Sequence, residues 1–336
     1  MSFSGIIAFI IVAVFLAVFH KGVWVFLKSF MPIFMAKLPL ALVTIWAVAT
    51  AVFFMAKAAG GEVEAIIKEG RMDERVIENI REQYGLNDPL WKQYLIQMGK
   101  LAQFDTLPSY NQRHRTFRDV LRDHLPVSAA LAWRALVLAV FLGIPIGVIT
   151  ALYHNRWPDQ VGMVIALLGV SVPNFVIAAL AVYFGSSVTQ AVQATEWKDP
   201  PYLWIPAIAL GAFPFAAILR LTRASMLEAL REDYVRTARA KGVAEWKVIG
   251  IHALRNSLSS VVTYIAIVAA GMLVGSLVVE KIFIIPGLGD TFVTTVQNRD
   301  MPLILGITTF FAALMVFANL VADSLYPVLN PRLREA

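Results

Sequence analysis

Eight cations, Arg220, Arg223, Arg231, Arg236, Arg239, Lys241, Lys247 and Arg255, crowd a short reach of an otherwise oily chain, opposed only by Glu228, Glu232, Asp233 and Glu245. Guanidinium and ammonium groups at such density can hold phosphate, seat a partner's surface, or fix the side of a membrane on which a loop stays. Phosphate hydrolysis within this chain is excluded on pattern. The P-loop signature G-x-x-x-x-G-K-[ST] fails, because Gly99-Lys100 is followed by Leu101 and Tyr94 stands where the first glycine belongs. The five histidines, His20, His114, His124, His154 and His252, show no H-x-x-x-H spacing, so no metal site is expected. With zero cysteines, neither a disulfide scaffold nor a thiolate site can form. No Ser/His or paired-Asp constellation lies within the apolar runs, and no catalytic residue is expected.

The elements that must position the basic stretch are membrane helices. The chain is 58% apolar and 15% charged, with a mean hydropathy of +0.68. A helix needs about 20 apolar residues to cross ~30 Å of hydrocarbon. Six runs meet that length, at about 39–57, 135–153, 162–184, 203–221, 259–281 and 303–327. A further run, 3–20, is a little short and "VWVFL" beyond Lys21 can extend it. Its cations Lys21, Lys28 and Lys37 follow the apolar stretch, the reverse of a signal peptide, so it reads as an uncleaved helix.

The cores of the six runs carry essentially no charge. Arg134 and Glu280 stand at their ends, where snorkelling competes with a pathway role. An ion-coupled carrier, which keeps acids or bases inside the bilayer, is thereby disfavoured. The net charge of +6 sits beside membrane segments, so positive-inside bias explains it better than nucleic-acid binding. Counting Lys and Arg places 222–258, 153–160 and the C-terminal tail in the cytoplasm, and 58–134, 185–202 and 282–302 outside. In the long outer segment, Val76, Ile77, Ile80 and Tyr84 recur at helical spacing with Gly85 as C-cap. A second helix starts there with Asp88 as candidate N-cap and Pro89 first in the helix, and 116–126 reads as an interfacial amphipathic piece.

Within the basic stretch, "RLTRASMLEALREDYVRTARAKG" reads as a continuation of the preceding membrane helix that ends at Gly242. "VAEWKVIGIHALRNSL" then begins a short helix with an oily stripe of Val243, Trp246 and Ile249, flanked by Glu245 and Lys247. This helix–Gly–helix elbow offers an exposed corner for a partner's groove. On spacing alone, a loop that only sets topology is an equal reading.

"YVRTARAKG" followed by "HALRN" resembles the cytoplasmic loop of ABC-transporter permease subunits of the oligopeptide/dipeptide/nickel (B-type) import group. The matching positions are Tyr234, Arg236, Thr237, Ala238, Arg239, Ala240, Lys241, Gly242, His252, Ala253, Leu254, Arg255 and Asn256. "VSVPNFVIAAL" (170–180), "VEKIFIIPGLGDTFVTTVQNRDMPLILG" (279–306) and "DSLYPVLNPRLR" (323–334) resemble further ordered motifs of that group, so the likeness spans about 38–334. Departures include Ala244 where a helix-capping Ser is usual, "KAAGGEVE" without the usual Gly-Asp-Pro, and Asn330 for Asp.

The resemblance implies an all-α multi-pass membrane protein of type I ABC importer permease fold, with six core transmembrane helices plus an extra N-terminal one, in the bacterial cytoplasmic (inner) membrane. The implied organisation is an extra helix and cytoplasmic linker (1–37), a first core helix (38–57), an external soluble segment (58–126), a permease core (127–327) with coupling loop 222–258, and a cytoplasmic tail (328–336). The elbow, including Glu245 and Trp246, becomes the coupling helix seated on an ATPase subunit. The implied partners are a second homologous permease, two ATP-binding subunits that carry ATP and Mg, and an extracytoplasmic substrate-binding protein, with no cofactor in this chain. Kinks at Pro173 and Pro214 would shape a cavity between two permeases, with Ser171, Asn174, Phe175 and Tyr183 along the pathway. "IIPGLG" forms an outer gate or a buried re-entrant loop, with Glu280, Pro286, Gly287, Gly289, Arg299 and Asp300 about it. Peptides are the expected cargo, with nickel chelates and oligosaccharides open. The alternative is a stand-alone carrier or channel whose basic loop sets topology only.

Overall fold

The computed structural model describes residues 23–58, 84–109, 115–188 and 204–329, with positions 78, 81 and 82; within these, the side chains of 23–29, 185–188 and 325–329 are left aside. The run 3–20, most of the helix read from Val76 to Ile80, the loop from 189 to 203 and the tail beyond Leu329 lie outside the described residues.

No strand occurs among the described residues. The helices are α1 (Val23–Ala58), α2 (Leu90–Ala102), α3 (Phe117–Leu152), α4 (Trp157–Ser171), α5 (Asn174–Val188) and α6 (Trp204–Ala229). Beyond them come α7 (Asp233–Ala240), α8 (Glu245–Lys247), a π-helical turn (Val248–Ala253), α9 (Leu254–Gly275), α10 (Leu277–Ile282), α11 (Leu288–Gln297) and α12 (Met301–Leu329). Among the described residues, five helical stretches are long and apolar enough to cross a membrane, and the bent pair α4–α5 makes a sixth if it counts as one span. All six coincide with the apolar runs of the sequence. Large apolar side chains such as Leu40 and Trp46 on α1, Phe141 on α3 and Leu167 on α4 point outward, as a lipid-facing surface requires.

The spans differ from the sequence reading in three places. The run 162–184 is not one rod: α4 and α5 meet at 99°. Val172 precedes Pro173 and takes the extended conformation that proline imposes on its predecessor, which ends α4. The piece 116–126 is not a separate interfacial helix but the first turns of α3, which passes through Pro126 and Pro145. The Asp119 carboxylate accepts the Thr116 backbone N–H at 2.9 Å to start it. Phe117 and Val120 hold those turns in place, buried against Leu288, Leu303, Ile307 and Phe311. Residues 23–37, read within the extra helix and its cytoplasmic linker (1–37), belong to the same helix as the first core span. At 36 residues, α1 and α3 each extend about 54 Å and overshoot the hydrocarbon.

Small residues set how the rods pack. Along α3, Ala135, Ala139, Gly143, Gly147 and Ala151 recur every fourth position and all are buried, so one stripe of the helix has almost no side chain. The backbone of α6 fills that stripe. A Cβ on Gly143 would stand 3.2 Å from the Phe215 carbonyl oxygen, and one on Gly147 2.7 Å from that of Leu219. From the other side, a Cβ on Gly211 would lie 2.9 Å from the Ala135 carbonyl oxygen. The main core, including Leu131, Leu210, Ile218, Val261 and Val279, gathers around this pair. Helix α1 lies against α12, where Lys37 Nζ meets Asp323 Oδ2 at 2.8 Å.

Candidate functional site

The basic elbow is a rigid corner, built differently from the sequence expectation. Helix α6 does not run on to Gly242; it ends at Ala229, and residues 230–232 turn into the separate α7. Gly242 does end α7, at φ +72°. The Val243 N–H bonds the Ala238 carbonyl at 3.2 Å and the Gly242 N–H bonds that of Arg239 at 3.0 Å, the pair of bonds of a Schellman cap. After the cap, α8 is a single turn that passes into the π-helical turn, where the Leu254 N–H reaches the Ile249 carbonyl five residues back. Ala244 supplies no side-chain cap to α8. The carboxylate of Glu245 instead bridges back across the glycine to Arg239, with Arg239 Nη2 to Glu245 Oε1 at 2.6 Å, and holds the guanidinium above its usual range.

The predicted stripe of Val243, Trp246 and Ile249 is not one face. Widening the helix at Val248–Ala253 turns Val248 and Ala253 inward with Val243 and Ile249, while Trp246 projects outward, 67% exposed. The inward set joins Val235 and Ala238 of α7 against Ala151 of α3 and Met226 and Ala229 of α6. Each fully buried valine here, Val235 and Val248, contributes about 2 kcal/mol by removal from water. The elbow is therefore packed onto the ends of α3 and α6 and continues directly into α9.

Of the residues singled out there, Tyr234, Arg236, Thr237, Arg239, Ala240, Lys241, Gly242, Glu245, Trp246 and Arg255 are exposed, His252 is half-buried and Ala238 is buried. Lys247 Nζ stands 5.3 Å from the centroid of the Trp246 ring. An exposed aromatic anchor with Lys247 beside its ring suits a concave partner surface.

Beside the elbow lies an ion pair that sequence reading missed. Arg223 of α6 makes two bonds to Asp159 of α4, Nε to Oδ1 at 2.6 Å and Nη2 to Oδ2 at 2.8 Å. The Asn155 backbone N–H adds a bond to the same carboxylate at 2.9 Å, and His154 Nδ1 lies 3.3 Å away. Asp159 is only 3% exposed, so the pair ties the loop after α3 to the helix that enters the elbow. Arg223 counted among the cations, but nothing in the spacing named its partner 64 residues away.

At the opposite end, the residues read as a gate form a second compact structure. Glu280, placed between snorkelling and pathway roles, does not snorkel: it is 0% exposed. Its Oε2 accepts the backbone N–H groups of Gly289 at 2.8 Å and Asp290 at 3.1 Å, and its Oε1 accepts Ser276 Oγ–H at 2.6 Å. A charge on α10 thus caps the N-terminus of α11 from outside that helix. The Leu288 N–H donates to Ser128 Oγ of α3 at 2.8 Å. Gly287 and Gly289 are required by this closeness, since a Cβ on Gly287 would overlap the Glu280 carboxylate and one on Gly289 would lie 2.8 Å from the Leu277 Cα. Pro286 is exposed and its carbonyl meets His124 Nδ1 at 2.9 Å.

Asp300, 2% exposed, accepts the Ser109 hydroxyl and so joins the outer segment to the start of α12. Burial, and secondly the Asp300 charge, push the Tyr84 phenol above its ordinary range. Exposed Arg299 ends α11 at φ +51°. In the outer segment Gly85 has the positive φ expected of a C-cap, +62°. Asp88 does not cap α2: Pro89 occupies the cap position and the Asp88 carboxylate pairs with Lys92 at 2.8 Å.

The pathway set is divided. Ser171, Pro173, Phe175 and Tyr183 are exposed about the α4–α5 bend and Asn174 is half-buried, whereas Pro214 is buried inside the bundle on α6. No group of three or more His, Asp or Glu side chains is placed to hold a metal among the described residues.

With this geometry in hand, comparison with known proteins is informative. The family model described as "Binding-protein-dependent transport system inner membrane component" matches residues 143–335, which include the bent pair, the elbow and the capped outer helix. The chain is 38% identical over 291 residues to the dipeptide transport system permease protein DppB of Bacillus subtilis, covering 87% of this chain and 94% of that one. It is 37% identical over 297 residues to the oligopeptide transport system permease protein OppB of Salmonella typhimurium, covering 88% and 96%. The OppB protein of Escherichia coli K12 is 36% identical over 296 residues, with the same coverage.

Proposed function

This chain belongs to the family of binding-protein-dependent transport system inner membrane components, and on that premise we propose that it is the membrane-spanning permease subunit of an ATP-driven importer of short peptides. It lies in the cytoplasmic membrane as a multi-pass helical subunit and is a transport component, not an enzyme. Peptide passes between this chain and a second, homologous permease after delivery by an external binding protein. Two ATP-binding subunits hold ATP and Mg and press on the elbow from the cytoplasm.

The observation that carries this reading is the elbow itself: a capped, packed corner whose inner face is fused to α3, α6 and α9 and whose outer face presents Trp246 among cations. Such a corner transmits a push. A loop needed only for topology has no reason to bury Val235 and Val248 completely. Uptake runs along the α4–α5 bend, where Ser171, Phe175 and Tyr183 face outward to the peptide and Pro214 shapes α6 from within. The outer segment about Pro286 closes the path on the far side.

The test is import of a labelled tripeptide by the reconstituted complete transporter carrying Arg239→Glu or Gly242→Pro. Both variants are expected to insert normally and to import at background level. Native import by both would overturn the coupling role of the elbow.

A further inference from the structure

The two compact ends are joined by two continuous struts. One is the helical rod Glu245–Ile282, 38 residues and about 57 Å long, which leaves the elbow through the π-helical turn and carries Glu280 at its far end. The other is α3, whose Ala151 lies in the elbow cluster and whose Ser128 lies about 35 Å further along. The outer ends of both struts grip one object. Glu280 holds the N–H groups of Gly289 and Asp290, and Ser128 holds that of Leu288, so three successive donors at the start of α11 are bonded to the two rods that begin at the elbow.

We infer that Glu280 and Ser128 are positioning residues that make outer helix α11 move with the elbow, so that displacement of the elbow by ATP-binding subunits shifts the outer opening. This rests on the proposed coupling role of the elbow and adds to it the element that carries the motion across the membrane. The path is one of packed helix and hydrogen bonds; its one break in the first strut is the turn at Ser276 between α9 and α10, where the Ser276 hydroxyl bonds both the Leu273 carbonyl and Glu280. Glu280 fits the task because its carboxylate is wholly buried and bonds backbone, which fixes helix position instead of a side-chain rotamer. Gly287 lets the start of α11 sit directly against Glu280 and Ser128, since a Cβ there would overlap both side chains.

The experiment uses the complete transporter in proteoliposomes with its binding protein and a labelled tripeptide, and records ATP hydrolysed and peptide imported in the same vesicles. Glu280→Ala is expected to lower the peptide imported per ATP by about tenfold, the effect of losing charge-assisted bonds. Glu280→Gln keeps an oxygen for the Gly289 and Asp290 donors and is expected to restore the ratio to within about twofold. A native ratio in Glu280→Ala overturns the inference, as does a parallel fall of import and hydrolysis that Gln fails to rescue. Should Glu280→Ala not assemble, Ser128→Ala decides, because it removes one acceptor only: a ratio lowered by about threefold supports the inference and a native ratio overturns it. Arg239→Glu in the same assay separates the two readings. Import that survives Arg239→Glu removes the coupling role of the elbow, whereas import lost there with a native ratio in both Glu280→Ala and Ser128→Ala removes only the role of Glu280 and Ser128.

Discussion

The elbow and the outer clasp use the same local device in opposite surroundings. Each reverses the chain by a Schellman cap with one residue at positive φ. At the elbow that residue is Gly242, in the open with nothing near its missing Cβ, and the adjoining charges Arg239 and Glu245 face water. At the clasp the same position is filled by Ile284 at φ +52° after α10 and by Arg299 at φ +51° after α11. The Ile285 N–H bonds the Glu280 carbonyl at 2.9 Å and the Asp300 N–H bonds that of Thr295 at 3.0 Å, so both caps are complete. A left-handed non-glycine residue costs about 1–2 kcal/mol, more awkwardly for a β-branched one. Burial of Ile285 and Asp300 and the bonds to Glu280 offset it. The lesson is that a water-facing corner reaches its shape through local sequence, while a buried corner tolerates the wrong local residue because its neighbours over-determine it.

Four substitutions and one control test whether the two corners differ in this way. Arg223→Ala strips the partner from the buried Asp159 carboxylate and is expected to lower stability by about 3 kcal/mol. Thermal unfolding of the purified complex checks it, and a loss below ~1 kcal/mol would mean that water reaches Asp159 in the assembly. Next, Gly287→Ala should destabilise by about 2 kcal/mol because its methyl has no room beside Glu280 and Ser128. Gly250→Ala in the π-helical turn, with nothing within 4 Å, serves as the control at the elbow and should show no such loss. Equal effects at the two glycines would erase the distinction between the two corners.

Replacing Ile284 should work in the opposite direction. The side chain is 65% exposed, so Ile284→Asn sheds strain while giving up little burial, and a gain of about 1 kcal/mol is expected. A loss there would show that the isoleucine makes an apolar contact in the membrane or with a partner. The smallest effect belongs to Glu245→Gln: its bond to Arg239 is exposed on this chain, and the unfolding temperature of the chain purified without ATP-binding subunits should not move measurably, even though import responds at the neighbouring Arg239.

The parts of this architecture that were legible in the sequence were those written in one dimension. Apolar runs of bilayer length located all six spans, and the positive φ at Gly85 and Gly242 followed from glycine at the end of a helical pattern. Ten of the twelve elbow residues singled out in the sequence are exposed, and their coupling role is the proposal made above. Contacts between distant segments were not legible. Asp159 gave no sign of Arg223, nor Ser128 of Leu288, because a hydrogen bond across 160 residues leaves no periodicity to read. The small-residue recurrence from Ala135 to Ala151 was a readable signal of close helix packing that the apolar count concealed. The stripe of Val243, Trp246 and Ile249 failed because Val243 lies before the N-cap Ala244, outside the helix, so its three-residue spacing to Trp246 is not a helical one, and from Val248 on the turn is π-helical.

Reading along the chain was enough to establish that it lives in a membrane, that a dense run of cations interrupts its spans, and that it carries no phosphate-binding loop of its own. Composition and spacing suffice for these because bilayer thickness and the geometry of a phosphate-binding loop are fixed lengths. Three features came from the packed helices alone: Glu280 is a buried clasp instead of a snorkelling end, the third span is bent by 99°, and elbow and outer helix hang on the same two struts. The physical reason is common to all three. Whether a charge faces water, lipid or a row of backbone N–H groups depends on what other segments bring to it, and no local pattern records that.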